Sequence, residues 1–197
     1  MLNTRKARSN KIANLTCFKG PRRKDAAFFV STPLNVRCPM LIRPSTRADL
    51  AAVDAVLART YPKLLKADYP PSVLVTALPV MSRAQPDLLV CGTYYVALED
   101  GVILGAGGWT PDRKTSDLGH IRHVVTDDRA LRRGVARALL TRCFDDARAA
   151  GILRLECWAT RTAEAFYQAL GFVTLGPMDV PLGPGILFPS IRMQRDL

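Results

Sequence analysis

The chain has 197 residues, 48% of them hydrophobic, and a formal net charge of +11. This length and apolar content suffice for one substantial core and exclude two full-sized domains. No apolar run approaches the ~20 residues that a helix needs to cross a bilayer, so we expect a soluble protein without membrane partners. The charge is uneven, because residues 1–39 carry nine Lys and Arg against Asp25 alone, a net of +8, and residues 40–197 carry only +3.

The basic segment, residues 1–39, has no sustained helical or strand period. Its only apolar cluster, Ala26–Val30, is shorter than the roughly 7–15 residues of a secretory signal core. Three interpretations remain. The segment is a disordered extension that results from an upstream translation start, an Arg-rich transit segment, or a basic arm that contacts nucleic acid through phosphates. We favour the extension, because Met40 is a natural beginning for the domain that follows, and we do not expect nucleic acid as a partner.

The next stretch predicts a strand and two helices. Leu41–Arg43 has strand character, and Thr46 with Asp49 predicts the capping box that begins a helix. We expect Tyr61-Pro62 to end this helix, because proline disrupts helical hydrogen bonding. A second helix is predicted from about Ser72, directly after a Pro-Pro pair.

A β-hairpin follows. Its strands are Thr93–Leu98 and Val102–Trp109, joined by a turn at Glu99–Gly101. The second strand contains three glycines within residues 105–108. Because glycine weakens a strand interior, this pattern indicates a bulge or a ligand that approaches the backbone closely.

The stretch His120–Gly151 predicts a strand at His120–Thr126, a polar loop and a helix from about Arg132. The N–H groups of the first helical turn have no intrahelical partner, and Gly134 and Ala136 leave room for an anion beside them. Three cations surround this turn: Arg132, Arg133 and Arg137. Because basic residues oppose the helix dipole there, a bound pyrophosphate explains them better than the alternative, solvated arginines on an ordinary amphipathic helix.

The last part predicts a strand at Leu153–Trp158 and a short helix at Ala163–Leu170. A closing hairpin is predicted from Phe172–Leu175 and Ile186–Met193, around a Pro/Gly-rich loop at residues 176–185. Strands and helices therefore mix along residues 40–197, which we predict to form one α/β domain.

Two stretches resemble the signatures of the GNAT superfamily of N-acetyltransferases. Leu131–Ala136, read LRRGVA, is similar to Gln/Arg-x-x-Gly-x-Gly/Ala, with Leu131 at the position of the usual Gln or Arg. Ala163–Phe172, read AEAFYQALGF, resembles A-x-x-F-Y-x-x-x-G-F, and Thr160 or Thr162 stands where the family often has Asn. The two signatures occur in order among suitable strands and helices, so the resemblance covers residues 40–197.

The resemblance implies a mixed α/β fold, in which about four helices flank a central, mostly antiparallel sheet, and acetyl-CoA as the acyl donor. It implies that a bulge in Gly105–Trp109 faces the thioester carbonyl and that this strand splays from the next one. Tyr61 and Tyr69 become candidates for acceptor contact, with packing of a helix pair as the alternative. The implied CoA contacts are the pantetheine partners Val124, Val125 and Thr126 and the pyrophosphate partners Arg132, Arg133, Gly134, Val135, Ala136 and Arg137.

Acetyl transfer to an amine needs a general base, donors for the tetrahedral oxygen, here the N–H groups of Gly105–Trp109, and an acid for the leaving thiolate. We predict Tyr167 as the acid, because the resemblance places it at the CoA sulfur, with a core aromatic packed beside Phe166 as the alternative. His123 is the preferred base, with a structural histidine and a water relay as the alternative. His120 lies three residues away on the same strand, so we expect the two rings on opposite faces. The weaker candidates for the base are Glu99, Asp117 and Glu156.

The five cysteines are odd in number and show no close pair suited to zinc or redox chemistry. We therefore expect reduced thiols in a cytoplasmic protein and no metal site. The predicted function is transfer of acetyl from acetyl-CoA to a primary amine of a small molecule or protein by direct attack, by a chain that could form a homodimer. The alternatives are a non-catalytic acyl-CoA sensor and a nucleic-acid-associated protein that acts through residues 1–39.

Overall fold

The computed structural model describes residues 39–197. Of the predicted basic segment, all but Pro39 therefore lie outside the described residues. The strands are β1 (Leu41–Pro44), β2 (Tyr94–Glu99), β3 (Val102–Pro111), β4 (Leu118–Thr126), β5 (Arg154–Ala159), β6 (Val173–Gly183) and β7 (Ile186–Asp196). They form one mixed sheet in the order β1-β2-β3-β4-β5-β7-β6. Every neighbouring pair is antiparallel except β4 and β5, which are parallel.

Helices cover both faces of this sheet, which agrees with the predicted fold class. The helices are α1 (Leu50–Leu65), α2 (Pro71–Met81), α3 (Pro86–Leu89), α4 (Val135–Ala149) and α5 (Glu164–Gln168). Helices α1 and α2 lie on one face, and α4 and α5 pack against the other. The short α3 was not predicted. Among the helices of residues 39–197, none combines the length and the apolar character that a membrane span requires.

Helix α1 is longer than predicted. Its start agrees with the capping pattern, since the Asp49 carboxylate accepts the Thr46 N–H at 2.8 Å. The predicted end at Tyr61-Pro62 is wrong, because the helix continues to Leu65. Pro62 lies in the last turn, where few helical hydrogen bonds remain to be lost, and the buried stripe that includes Leu57 extends to Leu65. Burial of the apolar face therefore overrides the local helix-ending signal.

The predicted Pro/Gly-rich loop at residues 176–185 is also wrong. Strands β6 and β7 form a long hairpin that is paired from Val173–Gln194 to Gly183–Ile186. Because β6 lies at the edge of the sheet, Pro177 and Pro181 remove no hydrogen bond that a further strand would need. Register shifts near Gly176 and Gly183 show where bulges absorb the irregular residues.

Gly105 allows helix α4 to lie close against β3. A β-carbon at Gly105 would lie 2.8 Å from Val135 Cγ1 and 2.7 Å from the Val125 carbonyl oxygen. Val135 is the first residue of α4 and is buried in the core between this helix and the sheet. The glycine in β3 therefore determines how closely the N-terminus of α4 approaches the sheet.

Two carboxylates tie the loop after β4 to helix α1. Asp127 is buried and binds Arg59, and its carboxylate also accepts the Arg129 side chain at 3.0 Å. Asp128 accepts Arg59 Nε at 2.9 Å and the Lys63 ammonium at 2.5 Å. These ion pairs hold the loop that leads into α4, so they position the helix end on which a pyrophosphate is expected.

We expect Gly105→Ala to lower the free energy of unfolding by about 1–3 kcal/mol, because the added methyl group overpacks the contact between β3 and α4. Chemical denaturation would measure the change. The matched control is Gly183→Ala, where the nearest atom to the new methyl is Ile186 Cδ1 at 4.0 Å and a change within about 0.5 kcal/mol is expected. Equal effects of the two substitutions would contradict the packing argument.

We expect Asp127→Asn to lower the free energy of unfolding by about 1.5–3 kcal/mol at pH 7, because charge-assisted hydrogen bonds to a buried carboxylate are lost. The hydrogen bond from Arg129 holds the pKa of Asp127 below its ordinary value in spite of burial. The stabilisation is therefore complete above the unfolded-state pKa of about 3.9 and disappears as the pH falls through the lower folded-state pKa. Denaturation curves from pH 7 to 3 should show the variant and the wild type converging at the acid end.

The control is Asp145→Asn, which removes an exposed carboxylate 3.3 Å from Arg148. Its effect should stay below about 1 kcal/mol at every pH. A difference between Asp127→Asn and the wild type that persists unchanged at pH 3 would show that ionisation of Asp127 is not the cause.

Candidate active site

The sheet opens between β4 and β5. These parallel strands pair only at Leu118–Arg154, Gly119–Leu155 and His120–Glu156. Beyond this point β4 stays paired with β3, and β5 stays paired with β7. We call the resulting gap the fork. The predicted splay between β3 and β4 is wrong, because these two strands pair from Gly105–Thr126 to Pro111–Gly119.

A β-bulge lies on β4 beside the fork. Ala106 pairs with Val125 and Gly108 pairs with Arg122, which leaves His123 and Val124 opposite Gly107 alone. His123 has a φ of 47°, in the left-handed region that one class of bulge uses. The prediction of this bulge in Gly105–Trp109 is therefore wrong, because the bulge beside the fork lies on β4. Strand β3 has a separate irregularity at Leu104, in its pairing with β2.

The glycines of β3 serve packing around this bulge. A β-carbon at Gly107 would lie 3.0 Å from Val124 Cγ2, and one at Gly108 would lie 2.5 Å from the Thr93 carbonyl oxygen. The close neighbour of Gly107 is thus β4, and that of Gly108 is the start of β2. The glycine-rich pattern correctly indicated a close approach to the backbone, but the approaching group is the protein itself.

Two peptide groups of β4 face the fork. The Asp127 N–H donates to the Leu104 carbonyl at 2.7 Å, so the alternation of a β-strand directs the N–H and C=O of Val125 towards β3 as well. The same alternation directs the peptide groups of Val124 and Thr126 to the open side. Thr126 Oγ1 is also buried and has no hydrogen-bond partner within residues 39–197. Of the three predicted pantetheine partners, Val124 and Thr126 thus have backbone groups available.

His120 and His123 lie on the same face of the sheet, so the prediction of opposite faces is wrong. On a regular strand Ile121 and Val125 would share a face, yet Ile121 packs beneath α4 and Val125 packs beneath α1. The bulge between them therefore shifts the alternation by one residue. The His123 ring lies 6.1 Å from that of Tyr61 on α1, and the His120 ring lies 6.1 Å from that of Trp158 on β5.

His123 is a half-buried, neutral imidazole. Burial lowers the pKa of His123, and a hydrogen bond to the Met81 carbonyl opposes this shift only in part. Nε2 lies 3.0 Å from that carbonyl oxygen, which can only accept, so Nε2 carries the hydrogen and Nδ1 has a free lone pair. The Tyr94 hydroxyl donates to the His123 carbonyl at 2.8 Å and anchors the bulge. His123 is thus rigidly held and unprotonated at neutral pH.

The carboxylates around the fork already have cationic or hydrogen-bonding partners. His120 Nε2 lies 2.9 Å from Asp112, and this contact with two backbone N–H groups lowers the pKa of Asp112 to about 2. Burial raises the pKa of Glu156, but hydrogen bonds from Arg192 at 2.7 Å and Trp158 at 2.8 Å outweigh it, so the pKa is below its ordinary value.

The two remaining carboxylate candidates are paired in the same way. Glu99 binds Arg133 at 2.7 Å, and Asp117 binds Arg154 at 3.0 Å. All three carboxylates predicted as weaker candidates for the base, Glu99, Asp117 and Glu156, are therefore engaged with arginines. This leaves the two histidines as the candidates with the better case.

Tyr167 reaches the fork from helix α5. Its ring is buried and packs edge-on against Phe166 and Phe172, each with a centroid distance of 5.3 Å. Burial raises the pKa of Tyr167 well above 10, with smaller contributions from the neighbouring Cys157 and Tyr61. Its hydroxyl has no hydrogen-bond partner in the part of the chain that the structure describes, residues 39–197. The phenol is therefore protonated at neutral pH and free to donate.

The surroundings of Tyr167 also disfavour thiolates. Burial raises the pKa of Cys143 to about 12 and raises that of Cys157. Both side chains belong to the same core cluster as Tyr167. These thiols remain protonated, which disfavours either of them as a covalent nucleophile.

The turn before α4 is open to an anion. Arg132 and Gly134 have φ values of 63° and 81°, and the helix begins at Val135 rather than at the predicted Arg132. The first helical hydrogen bond joins the Ala138 N–H to the Gly134 carbonyl at 2.9 Å, so residues 135–137 present N–H groups without helical partners. No side chain caps this end of the helix within the described chain.

The arginines of this turn differ in their surroundings. Arg132 and Arg137 are exposed, whereas the Arg133 guanidinium is bound by Glu99 at the β2–β3 turn. Arg137 also lines a surface groove of about 420 Å³ together with Thr141 and Gly171. The positive charge free for a phosphate therefore comes from Arg132 and Arg137.

The two tyrosines suggested for acceptor contact have different roles. Tyr69 is buried, stacks on Phe188 at 4.6 Å, donates its hydroxyl to the Pro189 carbonyl at 2.9 Å and accepts the Arg161 N–H at 2.7 Å. Tyr69 thus joins elements of the fold, as the packing alternative predicted. Tyr61 lies beside His123 at the fork, where burial raises its pKa and keeps the phenol protonated.

Sequence reasoning missed Arg122 and Asp112, which lie next to the histidines in space. Arg122 Nε donates to Thr110 Oγ1 at 2.9 Å, and Asp112 binds His120. The only signal for Arg122 was its place between the two histidines. Groups of three or more metal-binding side chains do not occur among residues 39–197.

Comparisons with known proteins agree with this geometry. Residues 60–172 match the Acetyltransferase (GNAT) family. An IAA acetyltransferase of Azospirillum brasilense is 32% identical over 123 residues, which cover 61% of this chain and 75% of the relative.

Solved structures share the fold. The PaiA N-acetyltransferase from Thermoplasma acidophilum, in complex with coenzyme A, has a TM-score of 0.62 at 13% identity and covers 81% of this chain and 100% of its own. A GCN5-related N-acetyltransferase from Rhodopseudomonas palustris has a TM-score of 0.65 at 20% identity over 82% of this chain and 98% of its own. The putative acetyltransferase yncA from Salmonella typhimurium, with acetyl-CoA, has a TM-score of 0.55 at 20% identity over 81% and 95%.

These matches confirm the predicted family, the predicted fold class and the predicted class of enzyme, an acyltransferase that uses acetyl-CoA. With its forked sheet, its uncapped helix after β4 and its match to the family over more than half of its length, the chain belongs to the GNAT family of acetyltransferases.

Proposed function

We propose that this protein transfers an acetyl group from acetyl-CoA to a primary amine by direct attack of the amine on the thioester. The observation that carries the proposal is the fork, which leads from the open N-terminus of α4 past free peptide groups of β4 to the Tyr167 hydroxyl. The structures of PaiA with coenzyme A and of yncA with acetyl-CoA support this choice of donor.

The donor would be held at several points along β4 and α4. The N–H groups of residues 135–137 and the charges of Arg132 and Arg137 would bind the pyrophosphate. The dipole of α4 contributes only about 0.3–1 kcal/mol for each exposed charge, so binding requires these donors to act together. The peptide groups of Val124 and Thr126 would pair with the pantetheine amides as an added strand would.

The bulge would bind the oxygen of the tetrahedral intermediate. A bulge leaves one residue without its ladder partner, and at His123–Val124 the unpaired backbone lies beside the fork. A fixed N–H at this position would donate to the carbonyl oxygen as negative charge develops on it. The sequence-based assignment of this role to Gly105–Trp109 thus passes to β4.

His123 is the base that we propose. The amine attacks only as the free base, and the Nδ1 lone pair of the neutral His123 would take its proton directly or through one water molecule. Since burial lowers the pKa of His123, the ring is unprotonated at pH 7. His120 is the runner-up, because its contact with Asp112 would orient its ring in the same way.

Tyr167 is the proposed acid. The phenol would donate a hydrogen bond and then a proton to the leaving sulfur of CoA. A phenol with a raised pKa is a weak acid in water, but the same dry surroundings raise the proton affinity of a thiolate, as they do for Cys143 and Cys157. The dry surroundings therefore raise the proton affinity of the donor and of the acceptor in the same direction. The free thiols of Cys91, Cys143 and Cys157 further support a reducing compartment, and we propose the cytoplasm.

A screen of amines with labelled acetyl-CoA tests the proposed function, and Tyr167→Phe tests the acid. We expect acetylated product from at least one class of amine, and a loss of about 10²-fold or more in kcat for the variant with little change in KM for acetyl-CoA, because the hydroxyl acts on the leaving group. Tyr95→Phe is the matched control, since Tyr95 is also buried but belongs to β2. Full turnover by Tyr167→Phe would contradict the role of Tyr167 as the acid. A calorimetric titration with acetyl-CoA that releases no heat would refute the proposed function.

The base is tested by the pH dependence of kcat/KM, after correction for the fraction of free amine. Because the pKa of His123 is lowered, the wild type should lose activity only as the pH falls through a midpoint below 6.5. His123→Asn, chosen because asparagine tolerates the positive φ of the bulge, should lower kcat/KM by about 10²-fold and abolish this acid limb. His120→Asn should keep the limb. If His120→Asn abolishes the acid limb and His123→Asn keeps it, His120 is the base and His123 is not.

A further inference from the structure

Arg122 carries a positive charge that no carboxylate of the described chain pairs with. It lies on β4, between the two histidines and one residue before the bulge. Nε donates to Thr110 Oγ1 at 2.9 Å, which fixes the plane of the guanidinium. The two Nη groups have no hydrogen-bond partner within residues 39–197, and this guanidinium takes part in none of the ion pairs of that range.

The surroundings make this unpaired charge costly. Arg122 is half-buried, and desolvation lowers its pKa against the weak attraction of Asp112. Asp112 cannot serve as its partner, because His120 and the backbone N–H groups of Lys114 and Thr115 already occupy that carboxylate. A desolvated charge without a partner destabilises a fold. Its presence beside the fork is explained if a ligand supplies the counter-charge.

The position of Arg122 assigns that ligand to the acceptor. The proposed pyrophosphate site, at the N-terminus of α4, lies at the other end of β4, beyond Thr126. Arg122 projects from the same face as His123 and leans towards Thr110 on β3, roughly one strand spacing of about 4.8 Å from β4. Ser82 Oγ, next to the Met81 carbonyl that binds His123, is a second buried polar atom without a partner in the described residues. Both belong to the α1–α2 side of the fork.

We propose, on the basis of the proposed function, that Arg122 binds a carboxylate of the acceptor, so that the substrates are amines that also carry a carboxylate, as amino acids do. The two Nη groups of a guanidinium match the two oxygens of a carboxylate in a planar, bidentate contact. Thr110 is the positioning residue, since it holds Nε and leaves the Nη edge free. The amine of the same molecule then lies at His123.

The test compares acceptors that differ only in the carboxylate. Glycine, β-alanine, 4-aminobutyrate and larger amino acids would be assayed beside their amides with labelled acetyl-CoA. We expect kcat/KM to favour the acids by about 10–100-fold, the range of a charge-assisted hydrogen-bonded pair. Among the simple acids, the preferred chain length would report the spacing between amine and carboxylate. Equal kcat/KM for acids and amides would overturn the proposal.

Variants of Arg122 locate the effect. Arg122→Gln should raise KM for the acids about 10–100-fold and change that for the amides by less than about threefold. Arg122→Lys should give an intermediate loss, because lysine keeps the positive charge but lacks the paired N–H donors of the guanidinium. Arg47→Gln is the matched control, since it removes the same charge from an exposed position on another element and should leave KM unchanged. An equal loss with acids and amides would show a structural role for Arg122.

A binding measurement separates this proposal from the proposed function. CoA-saturated protein would be titrated with N-acetyl amino acids and with their amides, and the acids should bind more tightly in the wild type but not in Arg122→Gln. Acid-selective binding without turnover of any amine would refute the transferase function and leave the carboxylate site intact. Turnover without selectivity for the acids would support the transferase function and refute the carboxylate site. Absence of both turnover and acid-selective binding would overturn both.

Discussion

The early end of pairing between β4 and β5 is the constraint on which the rest of the site depends. The two strands share three paired positions and then separate, because β4 follows β3 through a bulge at His123–Val124 while β5 follows β7. A bulge bends and twists its strand, so the separation has a local physical cause. Unpaired peptide groups would be costly in a dry gap, which is why this opening suits a ligand whose amides take the place of the missing strand. The family's use of CoA is consistent with that requirement.

The fork also divides the chemistry between two faces. On the side of α4 and α5 lie the uncapped helix end and Tyr167, whose free N–H groups and protonated phenol we propose as the partners of the donor and its leaving sulfur. On the side of α1 and α2 lie His123 and Arg122, whose neutral imidazole and unpaired guanidinium we propose as the partners of the acceptor's amine and carboxylate. The carboxylates between them are bound to arginines, histidine or backbone, so they shape the site without competing for the amine.

Where sequence reasoning failed, a neighbour distant in sequence outweighed a local signal. Pro62 signals a helix end, but Leu65 is buried and holds one more turn in place. The Pro/Gly-rich residues 176–185 indicate a loop, but the β7 ladder accepts them because β6 is an edge strand. The glycines of β3 predict a functional bulge on that strand, but they make room for Val124, Tyr94 and α4. The spacing of His120 and His123 does not predict their faces, because a single extra residue in β4 shifts the alternation of side chains between the two faces of the sheet.

The sequence by itself determined the features that depend on residues close together in the chain. These are the amphipathic stripe of α4, the glycine turn before it, the capping residues of α1, the two family signatures, and from them the fold class and the class of enzyme. Tertiary structure alone decided which strands separate, which arginines are free and which tyrosines have a spare hydroxyl. Arg133 is bound by Glu99, 34 residues away, whereas Arg122 has no carboxylate partner among residues 39–197, and no local pattern distinguishes the two. The reason is physical: hydrogen-bond partners and counter-charges are chosen by distance in space, which sequence spacing does not encode.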